Sequence, residues 1–437
     1  MSASQNGAMG PSGRPLGTNT GGEFGDWAPP AVAWERVRAA WGPPGPTATQ
    51  DISLDEARGR VLAADAHAPL DSPAFDRSAM DGYAVRAAGT AGATDDAPAR
   101  LSYAGDVPMG TASAVRVAPG QAVWVATGSM IPDGADSVIM VERTSREGDS
   151  VLARRVVAVG DNIVRRGDDL REGDLVRRDG HTLRPQDVAV FASMGVARVA
   201  VRARPRVAIV SGGDELVTPG EPLGPGQIYD SNSYAMAAQI ASWGGDPYIL
   251  PRTPDRPEAV RDALKRATGK ADLVLLSGGS SVGVKDLTAA AIDAAGAPGV
   301  VVHGVAMRPG RPTIIGVVDG VLVIGIPGNP VSAMVACEVF ARPAVETLLG
   351  VVPARVAGTV GDHAAYGALT ETVTSQVGRQ DYVRVALARS GDGALTVTPV
   401  PGGSGVIRSM VDAGGLLVVP PDRESFAQGE TVEVRLF

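Results

Sequence analysis

The chain has 437 residues, 44% of them hydrophobic, and a formal net charge of −8. That length exceeds one ordinary core and implies roughly two to four domains. The negative balance argues against a general affinity for nucleic acid, and no apolar run is long enough to span a bilayer. Cys337 is the one cysteine, so no intrachain disulfide can form and a reducing, cytoplasmic setting is expected. It sits in an apolar run and reads as a small buried hydrophobe. His67, His181, His303 and His363 lack zinc-like spacing. No basic segment followed by an apolar core marks a secretory signal.

Residues 1–27 are rich in Gly, Ser, Thr, Asn and Pro, and are expected to be a disordered tail. A helix is predicted from Pro30 to Trp41, ended by the Gly-Pro cluster at 42–46, and a second from Leu54 to Arg60, capped by Ser53. From about 85 to 157 short β runs, Val115–Val117, Ala122–Ala126 and Ser137–Val141, alternate with turns. Gly-Asp turns follow at 160, 167 and 173. Pro185 then opens a helix to Met194. The predicted organisation is a discontinuous domain of residues 28–84 and 158–204, interrupted by a β-rich insertion at 85–157.

Residues 205–350 read as an α/β domain. Strands Arg206–Val210, Pro247–Leu250, Leu273–Leu276 and Val321–Ile326 alternate with helices near 231–243 and 257–267, which implies a mostly parallel sheet covered on both faces. Residues 351–437 return to short strands, at Ala354–Val360, Tyr382–Leu387, Leu395–Pro399, Gly415–Pro420 and Thr431–Leu436. Their Gly-rich connections suggest a small β-barrel or sandwich.

Three Gly-rich turns fall at predicted strand ends of the α/β domain: Ser211-Gly212-Gly213-Asp214-Glu215, Ser277-Gly278-Gly279-Ser280-Ser281-Val282-Gly283, and Pro327-Gly328-Asn329-Pro330. Ligands of open α/β sheets bind at that edge, and bare N–H groups there suit an anion. Glu215, Asp255 and Asp286 each follow such a strand. Singly, each reads as well as a helix cap or solvent-facing acid as it does as a functional residue. As a trio beside an anion cradle they read as Mg²⁺ ligands. Arg308 and Arg311 flank a Pro-Gly turn, and guanidinium forks suit phosphate and other oxyanions. By composition Phe75–Tyr83 is only a structured loop, and Thr127-Gly128 a turn.

These residues in this order resemble the molybdopterin molybdenumtransferase family, that of bacterial MoeA and the gephyrin E domain. The resemblance rests on Ser78-Ala79-Met80-Asp81-Gly82-Tyr83-Ala84-Val85, Gly212-Gly213-Asp214-Glu215-Leu216, Ser277-Gly278-Gly279 with Val282-Gly283 and Asp286, and Pro327-Gly328-Asn329-Pro330-Val331-Ser332. It covers everything beyond the tail. It implies a multi-domain α/β and β homodimer: a discontinuous N-terminal domain, an inserted β-rich domain, a central molybdopterin-binding α/β domain with a mostly parallel sheet, and a C-terminal β-barrel. It implies a site between the α/β domain of one subunit and the β-rich domain and barrel of the other. The implied reaction is Mg²⁺-dependent insertion of molybdate into adenylylated molybdopterin with release of AMP. It also implies contact with molybdopterin adenylyltransferase and recipient molybdoenzymes.

Position by position, the resemblance implies catalytic roles for Asp286, Glu215, Asp255 and Arg308, the three acids also as metal ligands. It implies substrate-binding roles for Asp81, Thr127, Ser277, Gly278, Gly279, Ser281, Gly283, Arg311, Pro327, Gly328, Asn329, Ser332, Arg379 and Ser404. Gly304 stands where some relatives have lysine, so that charge is either missing or supplied by Arg311. An adenylyltransferase or nucleotide pyrophosphatase on the same α/β module is the alternative, and a non-enzymatic scaffold a third reading. The Ser78–Tyr83 motif and the β-rich ends favour the transferase over the former, and the acidic trio argues against the latter.

Overall fold

A computed structural model describes residues 27–278, 282–351, 364–391 and 393–437, with residues 282–286 described as helix backbone only. The expected strand at 354–360 and nearly all of the expected tail therefore lie outside the described residues. The chain forms two compact units, residues 50–201 and the remainder.

The unit of residues 50–201 is built on a six-stranded sheet that includes Gly82–Val85, Ala99–Val107, Gln121–Val125 and Ser137–Met140. Gly82–Val85 lies second from one edge, antiparallel to both Gln121–Val125 and the edge strand Ser137–Met140. The sheet thus begins inside the Ser78–Val85 motif, just ahead of the expected boundary at 84/85. Its two faces bury separate apolar clusters, one with Tyr83, Leu101 and Ile139, the other with Val107, Val123 and Val138. The predicted helix Leu54–Arg60 shrinks to a single 3-10 turn, Leu54–Glu56. Ser53 makes no side-chain cap there, and the Gly59 amide turns away to Leu183 O. Helix Pro185–Ser193 forms as expected.

The other unit holds a six-stranded sheet in the order Asp246–Ile249, Arg206–Ser211, Leu273–Ser277, Val321–Ile326, Ile314–Val318, Pro298–His303. The first four strands are parallel, and the last two form an antiparallel edge. Arg206–Ser211 and Leu273–Ser277 are almost wholly buried, as strands covered on both faces must be. Helices Asn232–Ser242, Pro257–Thr268 and Val282–Ala295 cover the sheet, the second burying Val260, Ala263, Leu264 and Ala267. The long helix Pro30–Trp41 packs on the antiparallel edge, where Trp41 Nε1 donates to Gly320 O at 3.1 Å. Sequence order alone groups this helix with the discontinuous domain.

Strands Gln380–Arg389, Leu395–Pro399, Ala364–Leu369, Thr431–Leu436 and Gly415–Val419 close on themselves as a five-stranded barrel, because Gln380–Arg389 pairs with both Leu395–Pro399 and Gly415–Val419. Val385, Val397, Leu417, Val419 and Val434 fill it. A short strand, Met307–Arg308, adds to its wall parallel to Gln380–Asp381. That pairing stitches the arginine turn of the α/β domain to the barrel of the same chain.

Candidate functional site

A pocket of about 840 Å³ opens between this α/β domain and its barrel. From the α/β domain it is lined by Gly278, Arg308, Arg311, Pro327, Gly328, Asn329 and Ser332, and from the barrel by Arg379 and Ser404. Nine of the predicted site residues thus share one cavity. The family resemblance implied that the barrel's share would come from a second subunit. The barrel residues that line this pocket are the chain's own, tied to the α/β domain by the Met307–Arg308 strand.

The turn carrying the arginines is braced by Thr313, whose amide and hydroxyl both donate to Gly310 O, at 3.0 and 2.6 Å. Arg311 lies over the ring of Trp27, 4.6 Å from its centroid. Trp27, expected in the tail, therefore packs on one of the pocket's arginines. It fits because position 304 is glycine: a Cβ there would stand 3.0 Å from Trp27 Nε1, on a backbone with φ of +84°. Arg379 is already engaged, by a two-pronged ion pair with Asp381 at 2.7 and 3.0 Å. Its charge is largely offset; Arg308, Arg311 and Arg384 line the same pocket, together with Glu371. Arg384 was not singled out in the sequence, where it is one residue of an apolar strand. The third Gly-rich turn is held by both domains. Asn232 Nδ2 donates to Gly328 O at 2.8 Å, and Asn329 Nδ2 donates to Ser404 Oγ at 3.1 Å.

Glu215, Asp255 and Ser277 do not line this pocket but meet at neighbouring strand ends. Gly212 N donates to Ser277 O at 2.7 Å, and Gly212 also bridges to Thr253. Gly213 adopts φ of +141°, and a side chain there would run into the Glu215 carboxylate, 2.9 Å from Oε2. Asp255 Oδ1 lies 3.4 Å from where a Cβ on Gly212 would sit. The two glycines thus let both carboxylates close over the turn. Burial pushes the Asp255 carboxyl above its usual range, and the charges of Asp214 and Glu215 add to the rise. A divalent cation would relieve that repulsion, so the donor set fits hard-cation chemistry. Gly279, Ser281 and the Asp286 side chain lie outside the described residues, and Gly283 is described only as backbone in the first turn of helix Val282–Ala295. Among the described residues no three His, Cys, Asp or Glu side chains cluster as a metal site.

Asp81 and Thr127 belong to the other unit. Thr127 N and Oγ1 both donate to Asp81 Oδ1, at 2.6 and 2.8 Å. Those two bonds hold the exposed Asp81 carboxyl below its usual range. The loop is set by Ser78, whose amide donates to Ser129 O and whose carbonyl accepts from Gly128 N. Gly82 is required because a side chain there would strike Ile139 O.

Three family descriptions cover this chain: "MoeA N-terminal region (domain I and II)" over residues 29–195, "Probable molybdopterin binding domain" over 208–347, and "MoeA C-terminal region (domain IV)" over 366–437. The chain is 37% identical over 391 residues to molybdopterin molybdenumtransferase 2 of Mycobacterium tuberculosis, covering 88% of this chain and 94% of that one. It is 34% identical over 394 residues to molybdopterin molybdenumtransferase of Bacillus subtilis, covering 89% and 90%. The structure matches the molybdopterin biosynthesis MoeA protein of Pyrococcus horikoshii OT3 with a TM-score of 0.80 and 30% identity, over 94% of this chain and 100% of that one. With 88–94% of the chain covered in sequence and in fold, the chain belongs to the molybdopterin molybdenumtransferase family of enzymes.

Proposed function

We propose that this enzyme transfers molybdenum from molybdate to adenylylated molybdopterin and releases AMP, as a cytoplasmic homodimer dependent on Mg²⁺. The observation that carries the reading is the pocket between the α/β domain and the barrel, where Arg308, Arg311 and Arg384 face one cavity with the Pro327–Asn329 turn. Molybdate and phosphate are both tetrahedral oxyanions, and guanidinium groups in a partly enclosed site suit either. Arg308 and Arg311 would hold the oxyanion, and Ser404, Asn329 and Ser332 would offer it hydroxyl and amide donors. Glu215 and Asp255, with Asp286, would hold Mg²⁺. When bound, that ion would polarise the pyrophosphate link. Asp81, pre-oriented by Thr127, would be contributed to the site by a second copy of the chain. The adenylyltransferase alternative uses only the α/β module, and the family likeness extends over both flanking regions as well.

The test is to incubate the purified protein with adenylylated molybdopterin and Mg²⁺, with and without molybdate, and to follow AMP by mass spectrometry. AMP that appears only when molybdate is present supports the transferase. AMP released equally without molybdate supports a pyrophosphatase instead.

A further inference from the structure

The barrel strand Gln380–Arg389 brings Arg384 into the pocket, and the use of this guanidinium differs from that of its neighbours. Its Nη2 donates to Gly402 O at 2.5 Å. Its Nη1 donates to Ser409 Oγ at 2.9 Å and, at 3.4 Å, to Gly403 O. The Arg384 carbonyl also accepts from Val400 N at 2.8 Å. One residue thus grips the loop at 400–403 from both backbone and side chain. The next residue, Ser404, reaches across to the α/β domain. Its carbonyl accepts from Val331 N at 3.0 Å, and its hydroxyl accepts from Asn329 Nδ2. Ser404, Asn329 and Arg308 all line the pocket.

The grip has a cost that a purely structural contact would avoid. Arg384 is partly buried, and burial with the nearby Arg308 charge disfavours its ionised form. A neutral side chain could fill the same volume without that repulsion. What it could not do is span two successive carbonyls and a hydroxyl, which needs the planar fork of guanidinium.

We propose that Arg384 is a positioning residue for an oxyanion in this pocket, acting through the loop it clamps: its fork fixes Gly402 and Gly403, and thereby sets Ser404 against Asn329 at the strand-end turn. The role depends on geometry more than on charge. Lysine keeps the charge but is a point donor, so it cannot replace arginine here.

The experiment compares the parent with Arg384→Lys, Arg384→Met and Ser409→Ala. Hydrogen exchange is followed at residues 402–405 and at the Val331 amide. Binding of molybdate and, separately, inorganic phosphate is followed by calorimetry. Both Arg384 variants should speed exchange and weaken oxyanion binding by roughly tenfold, the scale of losing hydrogen bonds to a charged group. Ser409→Ala should shift both in the same direction by less. A drop for molybdate alone marks the metal oxyanion as the ligand placed, and a drop for phosphate alone marks the nucleotide's phosphate. The proposal is overturned if Arg384→Lys behaves like the parent in both arms, since charge would then suffice. Unchanged exchange at Val331 in Arg384→Met also overturns it, or in Ser409→Ala should the Met variant not fold. The choice of molybdate rests on the function proposed above, but the exchange arm does not. A parent that binds no molybdate while the variants still loosen the loop counts against that function and for the clamp.

Discussion

Two sheltered carboxylates in this molecule face opposite surroundings. Asp187, in the unit of residues 50–201, has a fully buried side chain that meets Arg177 Nε at 2.5 Å, His181 Nε2 at 2.8 Å and Arg184 Nε at 3.0 Å. Burial alone would raise its carboxyl, but Arg184, His181 and Arg177 outweigh that and hold it well below the usual range. Asp255, in the other unit, is half-buried, and burial together with the charges of Asp214 and Glu215 pushes its carboxyl up against the smaller opposing effect of Arg252. One carboxylate is saturated by its own protein and serves the fold. The other sits among carboxylates that push it up, a surrounding that the bound cation of the proposed function would relieve.

The comparison can be broken first at Asp187. Replacing it with Asn should cost about 3–4 kcal/mol, the scale of breaking a buried ion pair, read as a lower denaturation midpoint. Its pH signature is set by the depressed folded-state value. The stabilisation from Asp187 is present above the unfolded carboxyl value of about 3.9, and is lost as pH falls through the folded one. A parent-like acid unfolding curve for Asp187→Asn would contradict that assignment.

Asp255→Asn should do the reverse. Its folded-state value is raised, so any stabilisation it gives is present at low pH and lost as pH rises through that value. At neutral pH the amide should therefore leave the melting temperature unchanged or about 1–2 °C higher. Mg²⁺-supported turnover should fall by roughly 10–100-fold. A variant that is both stable and fully active at limiting Mg²⁺ would remove Asp255 from the metal site.

The arginines sharpen the comparison from the positive side. Arg308→Ala should weaken oxyanion binding by about tenfold, Arg311→Ala by less, and Arg308→Lys least, because a point charge still serves an oxyanion. Titration at fixed ionic strength checks the order. Arg311→Ala failing while Arg308→Ala binds like the parent would reverse the two roles. The smallest effect belongs to Trp27. Loss of its contact with Arg311 should cost about 0.5–1 kcal/mol, a few-fold in affinity, with Trp27→Phe retaining most of it. No difference between Trp27→Ala and the parent would show that the ring does not orient Arg311.

Much of this was legible in the chain. The four parallel strands of the α/β domain were marked by apolar runs bounded by Gly and Pro, and their limits moved by only a residue or so, whereas the antiparallel pair Pro298–His303 and Ile314–Val318 was not read from the sequence. The Gly-rich turns could be placed on one sheet edge because parallel topology puts strand ends together. What sequence could not supply was long-range pairing. The register that closes the barrel pairs residues 30 to 38 positions apart, and the two-residue strand joins Arg308 to Asp381, 73 positions on. Val115–Val117 looked like a strand but makes none, whereas Ala99–Val107 became one despite its polar interruptions. Trp27 was assigned to the tail because a lone aromatic beside a Gly-rich stretch has no periodicity to read. Arg384 was missed because one charged residue in a strand reads as a solvent-facing alternation. Its value lies in carbonyls that folding brings to it.

The most direct measurement is molybdate-dependent AMP release at graded Mg²⁺ by the parent, Asp255→Asn and Asp187→Asn, each first shown to be folded at the assay temperature. The parent and Asp187→Asn should share one Mg²⁺ dependence, with Asp255→Asn shifted to much higher Mg²⁺ or inactive. An unchanged Mg²⁺ dependence in Asp255→Asn, or AMP release indifferent to molybdate in the parent, would contradict the account.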